Sequence, residues 1–228
     1  MFYITGDTHI PIDIGKLLPE NFREGESLDE NDYVIILGDF GGVWDNGPEH
    51  RKWLDFLESR RFNILFIDGN HENFDLLDQM KTEMWCGGKI HRVRENVIHL
   101  MRGQVYNING ITFFTFGGGY SYDKDRRIPH VSWWDREMPS EEEYKEGLEN
   151  LKKCGWVVDY CLTHTAPLSV IYNFYFPAFE APLCEYLSEI DKNLSYTKWY
   201  FGHVHKDKEV DSRHTALYNR IIELGEKL

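Results

Sequence analysis

Five short blocks of this chain carry side chains that bind divalent cations. The first is Asp7-Thr8-His9, the second Gly38-Asp39, the third Gly69-Asn70-His71-Glu72, the fourth Thr163-His164-Thr165 and the fifth Gly202-His203-Val204-His205. In extended backbone, residues i and i+2 point the same way. Asp7 with His9, and His203 with His205, can therefore each reach toward a common centre. One such block alone says little, because an Asp-x-His arises by chance, a Gly-Asp is a turn, and a lone histidine is usually a plain hydrogen-bonding residue. Five of them in order, each closing an apolar run, argue for metal-ligand chemistry at a row of strand ends. A closed structural zinc site is disfavoured, because such sites favour cysteine and none falls in these blocks.

The elements that must position these residues are legible as apolar runs at 2–5, 33–37, 63–67, 111–116, 156–162 and 198–201. Continuous runs of this length read as buried strands. Polar residues just past a strand are where α/β proteins place their active-site loops. Helical patterns fall between them at 48–60, 73–80, 140–153 and 182–191. The third opens with a capping box from Ser140 to Glu143, followed by Tyr144, Leu148 and Leu151 at helical spacing. The first half reads βαβαβ, and short strands or hairpins are expected at 208–210, 215–218 and 221–224. The class is α/β. Residues 117–140, rich in Gly, aromatic and charged side chains, are too long for a simple connection and form an irregular loop insertion.

A length of 228 residues fits one domain over 1–228 that carries this insertion. Hydrophobic residues make up 42% and charged residues 28%, a globular balance. Lys and Arg number 25 against 38 Asp and Glu, a formal net charge of −13, which excludes binding a long nucleic acid through the bulk surface. A small phosphorylated partner is still allowed, because local fields can oppose the net charge. The cysteines at 86, 154, 161 and 184 form no CxxC pair and read as idle thiols of a reducing compartment. The first residues show no basic and apolar leader pattern, and no apolar run approaches the ~18–20 residues of a membrane span. A cytoplasmic protein without a membrane partner is expected.

The ordered series Asp-x-His, Gly-Asp, Gly-Asn-His-Glu, His, Gly-His-x-His resembles the calcineurin-like metallophosphoesterases, over about residues 3–205. The aromatic and charged stretch 117–143 is similar to that of bacterial and prophage-encoded members. The resemblance implies two packed β-sheets flanked by helices, an αββα sandwich with the site at the strand ends. It also implies a dinuclear metal centre that hydrolyses a phosphate mono- or diester with a metal-activated water as the nucleophile. One metal would take Asp7, His9, Asp39 and His205. The second would take Asp39, Asn70, His164 and His203, with Asp39 as the bridge. Carboxylate, imidazole and amide ligands without thiolate suit Mn, Fe, Zn, Co or Ni rather than Ca, with manganese the first choice. The expected partner is a small phosphorylated substrate, nucleotide-like ones included.

In this family the histidine in the position of His71 contacts the phosphate and protonates the leaving oxygen, a role suited to a side chain that titrates near neutrality. Its alternative is a hydrogen bond that orients the loop. The chain departs from the family at Gly42, where many members carry a carboxylate that orients this histidine, followed by an arginine. Asp45, Glu72 or a water are the candidate replacements. Arg126 and Arg127 are the candidate phosphate-binding arginines, because guanidinium forks match phosphate oxygens. They could instead pair with Asp123, Asp125 or Asp135. Trp133 and Trp134 are expected to pack in the core rather than stack on a base. The segment Phe174-Tyr175-Phe176 with Phe179 is either a partner-binding patch or a seal over the site. The alternative to an enzyme is a catalytically silent metal-binding scaffold for protein interaction.

Overall fold

The structure, a computed structural model, describes residues 1–225. Strands β1 (Phe2–Thr5), β2 (Tyr33–Ile36) and β3 (Asn63–Phe66) are buried along almost their whole length. This is why they read as unbroken apolar runs. They pair in parallel, Phe2 with Tyr33 and Tyr33 with Asn63, so their C-terminal ends come out level. With β4 (Thr82–Trp85), β5 (Gly88–Arg94), β6 (Val97–Leu100) and the edge strand β13 (Ile221–Glu223) they make a seven-stranded sheet in the order β13-β1-β2-β3-β6-β5-β4.

The second sheet has six strands. It combines β7 (Gln104–Ile108), β8 (Ile111–Phe116), β9 (Tyr160–Thr163), β10 (Lys198–Phe201), β11 (Lys208–Glu209) and β12 (His214–Ala216) in the order β11-β12-β10-β9-β8-β7. Its β8, β9 and β10 are parallel, with Phe116, Thr163 and Phe201 in register at their C-terminal ends.

Three apolar layers hold the sheets and helices together. Ile4, Ile35, Leu65, Phe113, Leu162 and Tyr200 meet between the two sheets. The opposite face of the first sheet, with Val34, Ile64 and Phe66, is covered by Leu54 and Leu57 of α1 (Pro48–Glu58). The outer face of the second, with Phe114, Cys161 and Trp199, is covered by Leu151 of α3 (Glu141–Lys153) and Leu183, Leu187 and Ile190 of α5 (Ala181–Asn193). The expected αββα sandwich is therefore the fold. Two short helices, α2 (Phe74–Leu77) and α4 (Leu168–Ile171), follow β3 and β9.

Local sequence explains most elements. Ser140 caps α3 by accepting from the Glu143 amide, while the Glu143 carboxylate accepts from the Ser140 amide. β1 joins β2 through 3-10 turns at Ile14–Leu17 and Arg23–Glu26, in a stretch punctuated by Pro11, Gly15 and Pro19. Two differences from the sequence reading stand out. The strand expected from 156 begins only at Tyr160, because Gly155 and Trp156 turn the chain at φ 70° and 59°. The run β4 to β7 was absent from the reading, and its exposed or half-buried Glu83, Lys89, Arg92 and Arg94 break the apolar pattern.

Candidate metal centre

Every block leaves a strand at the same edge of the sandwich: Asp7 after β1, Asp39 after β2, Asn70 and His71 after β3, His164 after β9, His203 and His205 after β10. The backbone there is tightly wound. His9, Asp39, His203 and His205 all have positive φ, at 36°, 47°, 65° and 48°. Such conformations cost about 1–3 kcal/mol each in non-glycine residues and persist where surrounding contacts enforce them. Those contacts are visible. The Asp39 carbonyl accepts from the amides of Thr8 and His9, at 3.1 and 2.8 Å. Glu72, fully buried, accepts from the amides of Phe40 and Gly41, at 2.6 and 3.2 Å. Lys16 Nζ donates to the carbonyls of Gly6, Asp7 and Tyr218.

Asp7, His9, Asp39 and His205 bring one donor atom each within 4.8 Å of one another. His9 Nδ1 lies 2.7 Å from Asp13 Oδ2, which leaves Nε2 facing Asp39 Oδ2 at 3.1 Å. His205 Nε2 stands 3.1 Å from Asp7 Oδ2, a buried oxygen with no hydrogen-bond partner, and its ring stacks on Tyr218 at 4.6 Å. A second group adjoins it through Asp39. His164 Nδ1 meets the Leu37 carbonyl at 2.8 Å, and its Nε2 faces Asn70 Oδ1 at 3.1 Å and Asp39 Oδ1 at 3.4 Å. The Asn70 amide is oriented by donation from Nδ2 to Ser121 Oγ at 3.1 Å. The His203 ring lies 4.7 Å from that of His164, and its Nε2 lies 3.3 Å from Glu180 Oε1.

Both groups have the chemistry of cation cages. Donor atoms about 2.1 Å from one ion stand ~3.0 Å apart at octahedral angles and ~3.4 Å at tetrahedral ones. The spacings of 3.1 and 3.4 Å fall in that interval. With Nδ1 on the Leu37 carbonyl, His164 Nε2 faces the Asn70 amide oxygen and an Asp39 carboxylate oxygen, an arrangement that suits a cation between them. The first group, with its four donor atoms within 4.8 Å of one another, therefore fits a divalent ion, and the adjoining donors share its chemistry.

The electrostatics agree. Burial opposes ionisation of Asp7, but His205, His164 and His9 hold its carboxyl below the ordinary value despite Asp39 nearby. Asp39 is likewise buried, and His164, His71 and His9 hold it well below that value. Burial would lower His9 and His203, yet their facing carboxylates raise both to about 9: Asp39, Asp7 and Asp13 for His9, and Glu180, Asp39 and Asp7 for His203.

His71 behaves differently. Its amide donates to Asp39 Oδ1 at 2.7 Å, while its ring turns to the Arg127 guanidinium, with Nδ1 2.9 Å from Nη1. Burial lowers its pKa to about 4, helped by Arg127, His9 and His164 and opposed by Asp39. Arg127 also binds Asp123 through Nε at 2.7 Å, so it meets the site and pairs with a loop aspartate at once. Arg126 is exposed on the neighbouring 3-10 turn. Neither candidate acid stands in for the residue missing at Gly42, since Asp45 pairs with His50 and Glu72 holds the Phe40 and Gly41 amides.

The loop 117–140 is anchored by Trp134, buried edge-on to Trp44, while Trp133 lies under the Lys124 ammonium. Tyr175 packs against His203, and with Tyr122 and Phe176 it walls an open cavity beside His203 and His205, while Phe176 and Phe179 stay exposed. Sequence reasoning missed Asp13, Lys16, Ser121, Glu180 and Tyr218. None of these sits in a recognisable spacing, and only the fold brings them to the donors.

The family model for calcineurin-like phosphoesterase matches residues 1–207. The chain belongs to the calcineurin-like phosphoesterases. All five blocks of this phosphoesterase lie inside the matched span, and membership supports metal-dependent hydrolysis of phosphate esters. No curated protein matches the chain. Among the described residues of the phosphoesterase, no helix is long and apolar enough to cross a membrane.

Proposed function

We propose that this phosphoesterase is a cytoplasmic enzyme that hydrolyses a small phosphate ester at two divalent ions, manganese being the first choice. Asp7, His9, Asp39 and His205 would hold one ion, and Asp39, Asn70, His164 and His203 the other. The observation that carries the reading is the set of opposed donors at 3.1–3.4 Å, with Asp39 reaching both groups through its two carboxylate oxygens. Bound ions of this kind supply Lewis acidity and a water that ionises near neutral pH.

The chain's own groups supply the rest. Arg127 offers a fork that matches phosphate oxygens. An anionic phosphate seated beside it counters the cations that depress His71, and so raises the fraction of His71 able to donate a proton to the leaving oxygen. Arg126 adds positive charge at the rim.

The cavities favour a diester over a monoester. A central cleft of about 220 Å³ opens over Asp39 and Asn70. It shares His71 with a pocket of about 340 Å³ walled by Ile10, Trp44 and Arg127. On its other side it shares Tyr122, His203 and His205 with a pocket of about 460 Å³ that reaches Phe176. A phosphoryl group in the cleft would then carry one substituent in each pocket, and Tyr122 and Phe176 offer aromatic faces to a base or aryl group. Hydrolysis of bis-p-nitrophenyl phosphate against p-nitrophenyl phosphate with added Mn²⁺ tests this. The diester should be the better substrate. A monoester preferred tenfold or more would reject the diester reading.

A further inference from the structure

We propose that Glu180 is a ligand of the second metal ion, joining Asp39, Asn70, His164 and His203. This inference rests on the two-metal reading above. Glu180 precedes α5 and is fully buried. Its Oε2 accepts the Tyr175 hydroxyl at 2.5 Å. Its Oε1 has no hydrogen-bond partner. The group that faces Oε1 is His203 Nε2, and once that ring serves a metal ion the buried carboxylate oxygen needs the same cation to offset its burial.

The direction of Oε1 identifies that cation. It lies 3.3 Å from His203 Nε2, the same donor-to-donor spacing that marks the rest of the centre. The position a Cβ would take on Gly119 is 3.4 Å from Glu180 Oε1, 2.9 Å from Asn70 Oδ1 and 3.1 Å from His164 Cδ2. Glu180 Oε1 thus borders the same space beside Gly119 as Asn70 Oδ1 and the His164 ring. The Tyr175 hydroxyl fixes the carboxylate plane and leaves Oε1 free for the ion. Tyr175 itself packs against His203, so one aromatic side chain orients both donors.

The test is metal stoichiometry. Wild type, Glu180→Gln and Glu180→Asp are stripped with chelator, loaded with Mn²⁺, desalted and measured for manganese per chain, with free Mn²⁺ followed by electron paramagnetic resonance during titration. Wild type should retain two ions. Glu180→Gln should keep the first and bind the second at least about 10–100-fold more weakly, since losses of that size follow even from removing groups that merely support a ligand. Glu180→Asp keeps the buried charge but is one methylene too short, and it should lose the second ion as well. It carries the test if the Gln variant fails to fold. Two ions bound with wild-type affinity in either variant overturns the assignment, because an electrostatic partner survives in Asp and a bystander survives in both. Wild type that takes fewer than two ions defeats the dinuclear reading itself, and this proposal with it.

Discussion

His164 Nε2 faces Asn70 Oδ1 at 3.1 Å, while the other nitrogen of the ring is engaged by the Leu37 carbonyl and the other end of the amide by Ser121. Each partner's orientation is thus fixed from behind, and what meets in the middle is the pair of donors proposed for the second ion. Asn70 follows β3 of one sheet and His164 follows β9 of the other, so the second metal group is built across the seam of the sandwich.

Crowding at that seam can be tested with one methyl group. Gly119 has an ordinary backbone conformation, but a Cβ there would stand 2.9 Å from Asn70 Oδ1. Asn70 is buried and pinned by Ser121, so it cannot swing aside freely. Gly119→Ala should weaken the second Mn²⁺ by about tenfold, the scale of a disturbed ligand, and leave the first unchanged. Calorimetric titration checks this, and an unchanged second site would show that Asn70 does not bind the ion.

His71 and Arg127 should separate from the metal donors by their phenotype. His71→Ala removes a proton donor whose contribution is typically ~10²–10⁴-fold, and the loss should grow as the leaving group becomes a poorer one. Manganese content should stay at the wild-type level. Arg127→Lys keeps the charge but loses the fork, so kcat/KM should fall with no change in metal content. Loss of manganese in His71→Ala would make His71 a ligand instead.

Away from the centre, Glu143 gives the protein an acid-sensitive clamp. Its carboxylate accepts from Arg102 at 3.3 Å, Arg136 at 3.0 Å and the Ser140 amide at 2.7 Å. Burial would raise its pKa, but Arg102, Arg136 and the Ser140 amide hold it below the ordinary value. A depressed folded pKa stabilises above the unfolded value and is lost as pH falls through the folded one. Glu143→Gln should therefore cost about 1–3 kcal/mol at pH 7, as for hydrogen bonds to charged groups. The gap from wild type should shrink as pH drops below about 4, near the unfolded value. Denaturant melts at pH 7 and pH 3.5 measure it, and a gap that widens in acid would contradict the assignment.

Much of this was legible in the sequence where burial is uniform. β1, β2, β3 and β8 read directly, because apolar layers cover both their faces. The Ser140 cap read directly because its signal is local. The meander β4 to β6 and the β7 strand after it did not, since polar positions, Lys89 and Arg92 among them, interrupt the apolar pattern. The donors read as a set because each follows a strand. Glu180 follows no strand, and its neighbours Asn70, His164 and His203 are remote in sequence. Sequence offered Arg126 and Arg127 as equals. They are separated by the 3-10 turn, which exposes one and presses the other against His71.

Two ions bridged by Asp39 are proposed to make this chain an enzyme, and bis-p-nitrophenyl phosphate turnover by chelator-stripped protein given zero, one and two equivalents of Mn²⁺, with Asp39→Asn alongside, tests this. Asn tolerates the positive φ of position 39, so the variant should fold. Turnover should be absent without metal, rise chiefly with the second equivalent, and fall more than about 100-fold in Asp39→Asn, beyond the loss from removing a supporting residue. Full turnover in stripped protein, or in Asp39→Asn, would show that a pair of ions bridged by Asp39 is not what drives hydrolysis.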